Sequence, residues 1–151
     1  MKAMMKHVAI LGLASLVLAT AGTAQQAAPS GDALPKGFKT TPVLKSTQTA
    51  NNMKIRYVQS GQPEVVSVIG ELEAGGQTAR HQHPVPVFVY VLEGTITVQA
   101  DGGQPRVYTP GKAFMEDVNH WHQAFNKGTT PAKILVVFMG EEGKPTTINA
   151  Q

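Results

Sequence analysis

Four histidines stand in two pairs, His81-Gln82-His83 and His120-Trp121-His122, and a fifth, His7, lies near the amino end. On an extended strand residues i and i+2 face the same side, so either pair can turn two imidazoles toward one centre. Neutral imidazole ligates Fe, Zn, Cu, Ni or Mn. A third ring from a distant strand would close one face of such an ion and leave the others open to water or substrate. A lone histidine reads more simply as a surface or core residue, and a lone His-x-His is a weak signal; two such pairs in one chain favour a metal centre. The chain has no cysteine, which excludes thiolate ligation, a disulfide and a cysteine nucleophile. It has no G-x-G-x-x-G, Walker or G-x-S-x-G pattern either, so neither a phosphate loop nor a hydrolase elbow is expected.

Strands must hold these pairs, and the chain is patterned for strands. Apolar runs recur at Met53–Val58, Val65–Leu72, Val87–Leu92, Thr95–Ala100, Arg106–Thr109, Ala113–Met115 and Ile134–Met139. Turn signals separate them: Ser60-Gly61, Gly75-Gly76, Glu93-Gly94, Asp101-Gly102-Gly103, Pro110-Gly111 and Lys127-Gly128. Short runs with frequent turns predict an all-β sandwich or barrel, and no segment after the leader sustains a helical period. Val87–Leu92 and Ile134–Met139 are apolar on both parities, which predicts strands buried on both faces that form the central walls.

At 151 residues the chain has room for one domain. Its 13 Lys and Arg against 10 Asp and Glu give +3, with no basic run to bind nucleic acid. Two of those lysines, Lys2 and Lys6, precede the apolar stretch Val8–Ala19 and a small-residue tail ending at Ala24. That order is a secretory signal peptide, and the stretch is short of the roughly 20 residues that span a bilayer. Cleavage after Ala24 is favoured, Ala21 being the other small-residue site. The expected organisation is a signal peptide over 1–24, a flexible Ala/Pro/Gly/Thr-rich linker over 25–45 and one domain over 46–151. The processed protein is then expected in the periplasm or outside the cell, free of the membrane.

The stretch from Gly75 through His81, His83 and Val87 to Gly94 resembles the first cupin motif, G-x5-H-x-H-x3-E-x6-G, in both glycines and both histidines. The stretch from Gly111 to Asn126 is similar to the second, G-x5-P-x-G-x2-H-x3-N, and matches at Gly111, His122 and Asn126. The resemblance covers about residues 65–139 and implies a cupin jelly-roll barrel, a double-stranded β-helix. It departs from the family at Val87, which replaces the usual metal-binding carboxylate, and at Asp117 and Asn119, which replace Pro and Gly. Carried over residue by residue, it implies a three-histidine metal site of His81, His83 and His122. Three neutral ligands leave a divalent ion its full charge, which favours an anionic ligand. Glu116 is the one acidic residue singled out as a catalytic proton acceptor or water-bridged partner, against the plainer reading of a surface strand-end residue. His120 reads as a rim histidine, Trp121 as packing, and Arg80 alternates away from His81.

Cupins include dioxygenases, decarboxylases, isomerases and non-catalytic binders, so fold alone does not name a reaction. The expected function is that of a metal-binding cupin of dioxygenase type, acting on a small chelating organic substrate in an apolar cup lined by residues such as Val87 and Val89. The cofactor is a divalent metal ion, Fe foremost, with Zn, Mn, Ni or Cu as alternatives. The alternative function is a non-catalytic periplasmic module that binds metal or a small ligand. A homodimer is the expected assembly, with Lys45–Val58 or the leader as a source of the pairing strand.

Overall fold

A computed structural model describes residues 40–57 and 61–151. The expected signal peptide over 1–24 lies outside the described residues, as does the linker up to residue 39. Nine strands follow one another: β1 Pro63–Leu72, β2 His81–Gln82, β3 Val87–Glu93, β4 Ile96–Ala100, β5 Arg106–Tyr108, β6 Ala113–Glu116, β7 His122–Phe125, β8 Ala132–Glu141 and β9 Ile148–Asn149. They form one sheet in the order β1-β8-β3-β6 and a second in the order β5-β4-β7-β2-β9, with every strand pair antiparallel. Among the described residues there is no helix. This is the all-β double-stranded β-helix that the motif pattern implies.

Hydrophobic alternation decides which face of each strand turns inward. Val87, Val89 and Val91 of β3 are at most 2% exposed and pack with Ile96, Phe114, Ala132 and Ile134 in the core. β3 and β8 lie side by side at the centre of their sheet, with Val89 opposite Val136 and Val91 opposite Ile134. On the other face of β3, Phe88 and Tyr90 are half-buried and Leu92 is exposed. Burial on both faces is therefore realised only on the inner one, because the second sheet covers that side alone. At the edge of the sheet, Ala50 donates its N–H to Met115 O of β6 at 2.8 Å and packs against the core.

The apolar run at Met53–Val58 does not form a strand over its described residues, 53–57. The chain there folds back on itself. Thr49 N–H donates to Met53 O at 2.8 Å, Ile55 N–H donates to Thr47 O at 3.0 Å, and Asn52 takes a left-handed φ of 66°. Backbone groups satisfied within a turn are not available to a sheet. Three short strands that apolar runs do not announce, β2, β7 and β9, form instead around the histidines and near the C-terminal end.

Asn126, 1% exposed, holds the strand connections together. Its amide donates to Leu72 O at 3.0 Å and Thr130 O at 2.8 Å, and its Oδ1 accepts from Gly128 N at 2.9 Å. Its backbone exchanges two further bonds with Gly75 and Gly76. Gly94 closes the β3–β4 hairpin with φ 68°, and a Cβ there would lie 2.5 Å from Pro131 O. Replacing the buried Asn126 with Ala removes three side-chain hydrogen bonds, one of them to the buried Leu72 carbonyl, so urea denaturation of Asn126→Ala is expected to show a loss of about 2–3 kcal/mol with an unchanged m-value.

Candidate metal centre

The two histidine motifs meet because β2 lies between β7 and β9. His81 pairs with His122 across one edge and with Asn149 across the other. His83, one step past β2, bridges to Val118 and accepts at its carbonyl from Asn119 N–H at 2.7 Å. Asn119 makes that turn with φ 55°, a left-handed conformation that Asn tolerates better than other side-chain-bearing residues. The loss of Gly at this position is thereby accommodated.

The rings of His81, His83 and His122 are 4.5–5.2 Å apart, centroid to centroid. One nitrogen of each lies within 4.8 Å of the others, so the three could hold a metal ion. Which nitrogen that is follows from the other one. His81 Nδ1 donates to Ala79 O at 2.7 Å, His83 Nδ1 to Thr146 O at 2.9 Å and His122 Nδ1 to His120 O at 2.9 Å. A carbonyl can only accept, so each Nδ1 carries the proton and each Nε2 is left as the ligating atom. His122 Nε2 is a buried nitrogen with no hydrogen-bond partner. Buried polar atoms are rarely left unpaired, and a cation in the cluster would satisfy this one.

Glu116, at the end of β6, reaches the same point. Its Oε2 is 3.1 Å from His83 Nε2 and its Oε1 is 3.5 Å from His122 Nε2, with the side chain only 11% exposed. Burial pushes its pKa up, but the contacts with His122 and His83 outweigh burial and bring it down to about 2. Burial would lower the His122 pKa; Glu116, the His120 carbonyl and Asp117 together raise it. The His81 pKa is lowered by burial and by the neighbouring His122 and His83.

The centre opens into a cavity of about 300 Å³. Its walls are Val89, Ile96, Val98, Ile134, Val136 and Phe138, while Gln77, Thr78 and Glu71 supply polar edges. Val89 lines the cup as expected, but Val87 does not: it is fully buried in the core, opposite Glu116 and Phe138. His120 stands apart, its Nε2 donating to Asp101 O at 3.0 Å. The Arg80 guanidinium pairs with Asp101 and lies 4.7 Å from the Trp121 ring, so neither Arg80 nor Trp121 serves the cavity. Asp117 is buried and accepts from Thr49 Oγ1 and Asn51 Nδ2, which ties the 49–53 turn to the end of β6. Sequence reasoning misses Thr146, whose carbonyl orients His83, because a backbone acceptor has no side-chain signature.

Two layered antiparallel sheets with a histidine cluster at the mouth of an apolar cup define a small β-barrel protein with a metal-competent site. Residues 68–138 match the family model described as "Cupin domain", and the chain carries a cupin domain. No curated protein matches it by sequence. Among solved structures it is similar to a DMSP lyase from Ruegeria pomeroyi, at 22% identity and a TM-score of 0.51, over 57% of this chain and 43% of that one. It is also similar to an oxalate oxidase in complex with the substrate analogue glycolate, at 26% identity and a TM-score of 0.51, over 57% of this chain and 46% of that one. A polyketide cyclase from Streptomyces resistomycificus matches at 25% identity and a TM-score of 0.51, over 60% of this chain and 63% of that one. The chain spans less than half of the lyase and the oxidase.

The three rings predict a sharp contrast. His83→Ala should abolish stoichiometric Co(II) binding measured by equilibrium dialysis with elemental analysis, whereas His120→Ala should leave it unchanged within about twofold, since its ring faces Asp101 instead.

Proposed function

We propose that the protein is an exported, metal-dependent oxidoreductase of dioxygenase type, acting on a small chelating organic substrate. The observation that carries this reading is the set of three Nε2 atoms turned toward one another at the mouth of an apolar cavity, each ring locked by a carbonyl at Nδ1. A bound divalent iron would supply Lewis acidity and the one-electron chemistry that dioxygen activation requires.

The chain's own residues do the rest. His81, His83 and His122 would hold the ion. Val89, Ile96, Val136 and Phe138 form walls that keep bulk water from the reacting atoms, and the low dielectric they create strengthens electrostatic contacts inside. A cavity near 300 Å³ lies at the small end of ligand pockets, which suits a small substrate. The likeness to an oxalate oxidase supports chemistry on small oxygen-rich ligands. The small-residue leader ending at Ala24 supports export, and a homodimer remains the proposed assembly.

Iron-loaded protein, assayed in an oxygen electrode against diketones, flavonols and hydroxy acids, should consume dioxygen with at least one class. His83→Ala should lose that activity by a factor of about 10² or more. Tight metal binding without oxygen uptake or product across the panel would favour the non-catalytic binding module.

A further inference from the structure

The side chain at position 87 points into the barrel but is a fully buried Val, which ligates nothing. Its partner across the β3–β6 ladder is Glu116. Directly opposed residues on antiparallel strands share a face, with Cβ atoms about 4.5–5.5 Å apart. A carboxylate on β6 at this register therefore enters the space beside Val87. We propose that Glu116 is the fourth ligand of the metal centre, delivered from β6, and that it is a ligand in place of the proton acceptor expected from sequence. The proposal rests on the reading of His81, His83 and His122 as metal ligands.

Three observations support it independently of that register. First, the two carboxylate oxygens are directed at two different rings, Oε2 at His83 Nε2 and Oε1 at His122 Nε2. Both rings already spend their Nδ1 proton on a carbonyl, so in their neutral form they aim lone pairs at an anion. Four electron-rich atoms crowded together repel, and one shared cation turns the repulsion into attraction. Second, the carboxylate is buried, and among the described residues it meets these two rings and no Lys or Arg, so with both rings neutral no cation offsets its charge. A buried charge needs such compensation. Third, the end of β6 is fixed on its far side. Asp117 accepts from Thr49 and Asn51, and Met115 O accepts from Ala50 N at 2.8 Å. Glu116 is thus presented by a braced strand, which suits a ligand better than a carrier that must swing.

The chemical consequence is a change in charge. With three imidazoles alone a divalent ion keeps its full charge; one carboxylate cancels half of it. The site then prefers metals that accept mixed nitrogen and oxygen donors, such as Mn, Fe, Ni and Zn, over softer Cu(I).

The test is Co(II) affinity, by competition with a chromogenic chelator, for the full-length wild type, Glu116→Gln and His83→Ala, together with the visible Co(II) spectrum. Glu116→Gln should bind at least tenfold more weakly and shift the spectrum, while His83→Ala loses binding. A loss of less than tenfold in Glu116→Gln, with His83→Ala still defective, overturns the ligand assignment and leaves the histidine site standing. Wild-type protein that binds no Co(II) removes the histidine reading and this proposal with it. Should Glu116→Gln fail to fold, a crystal structure of the Mn(II)-loaded wild type decides: a Glu116 oxygen at bonding distance, about 2.0–2.2 Å, supports the assignment, and one outside that shell overturns it.

Discussion

A histidine can bind a metal only if it turns a lone pair toward the centre, and in this protein three backbone carbonyls impose that choice. Ala79 O, His120 O and Thr146 O each take the Nδ1 proton of one ring. Two of these acceptors lie two residues before the ring they orient, on the same stretch of chain, so strand geometry delivers them with the histidine. The third comes from 63 residues away. Losing such an outer partner typically weakens metal binding by about 10–100-fold. The site therefore depends on Thr146 being brought against His83, which β9 achieves by pairing with β2.

β2 is the weak element that the rest of the fold braces. It is two residues long and followed at once by Pro84 and Pro86, which contribute no N–H to a ladder. It is paired on both edges, by β7 and by β9, and Ala150 N–H donates to Arg80 O at 2.9 Å. On the opposite side from the histidines, Arg80 lies over Trp121 and pairs with Asp101. These side chains are 42% and 50% exposed, so solvent screens their ion pair and it contributes little to stability. Its value is directional: it joins residues adjacent to His81, His122 and Ala100 and so holds β2, β7 and β4 in register.

Much of this is legible in the sequence where the information is local. The His-x-His spacing, the turn glycines and Asn126 mark the barrel and bring His81, His83 and His122 forward as a group, because each signal sits within one motif. What the sequence hides is non-local. Thr146 acts through its carbonyl, which any residue carries. The bracing of β6 by Thr49 and Asn51 joins polar residues 66 to 68 positions from Asp117. Val87 looks like a cup residue because it alternates with His83, but the ladder places it in the core and gives the cavity to Val89. The strands β2, β7 and β9 are short and carry polar residues, so hydrophobic alternation does not announce them; neighbouring strands order them.

The same reasoning explains why substitution at one motif position need not empty the site. In a barrel the interior is addressed by several strands at each level, and a pair of opposed residues offers two routes to one volume. Val87 and Glu116 occupy such a pair. With Val on β3, the core gains a side chain of 0% exposure that packs without a polar atom to satisfy. With Glu on β6, the buried charge sits beside His83 and His122. The converse placement of these two side chains would set a carboxylate between β6 and β8, where Phe138 is the other neighbour of position 87. Charge and apolar volume are thus sorted to opposite members of one ladder pair, and the local chemistry of the centre follows from strand register as much as from the motif.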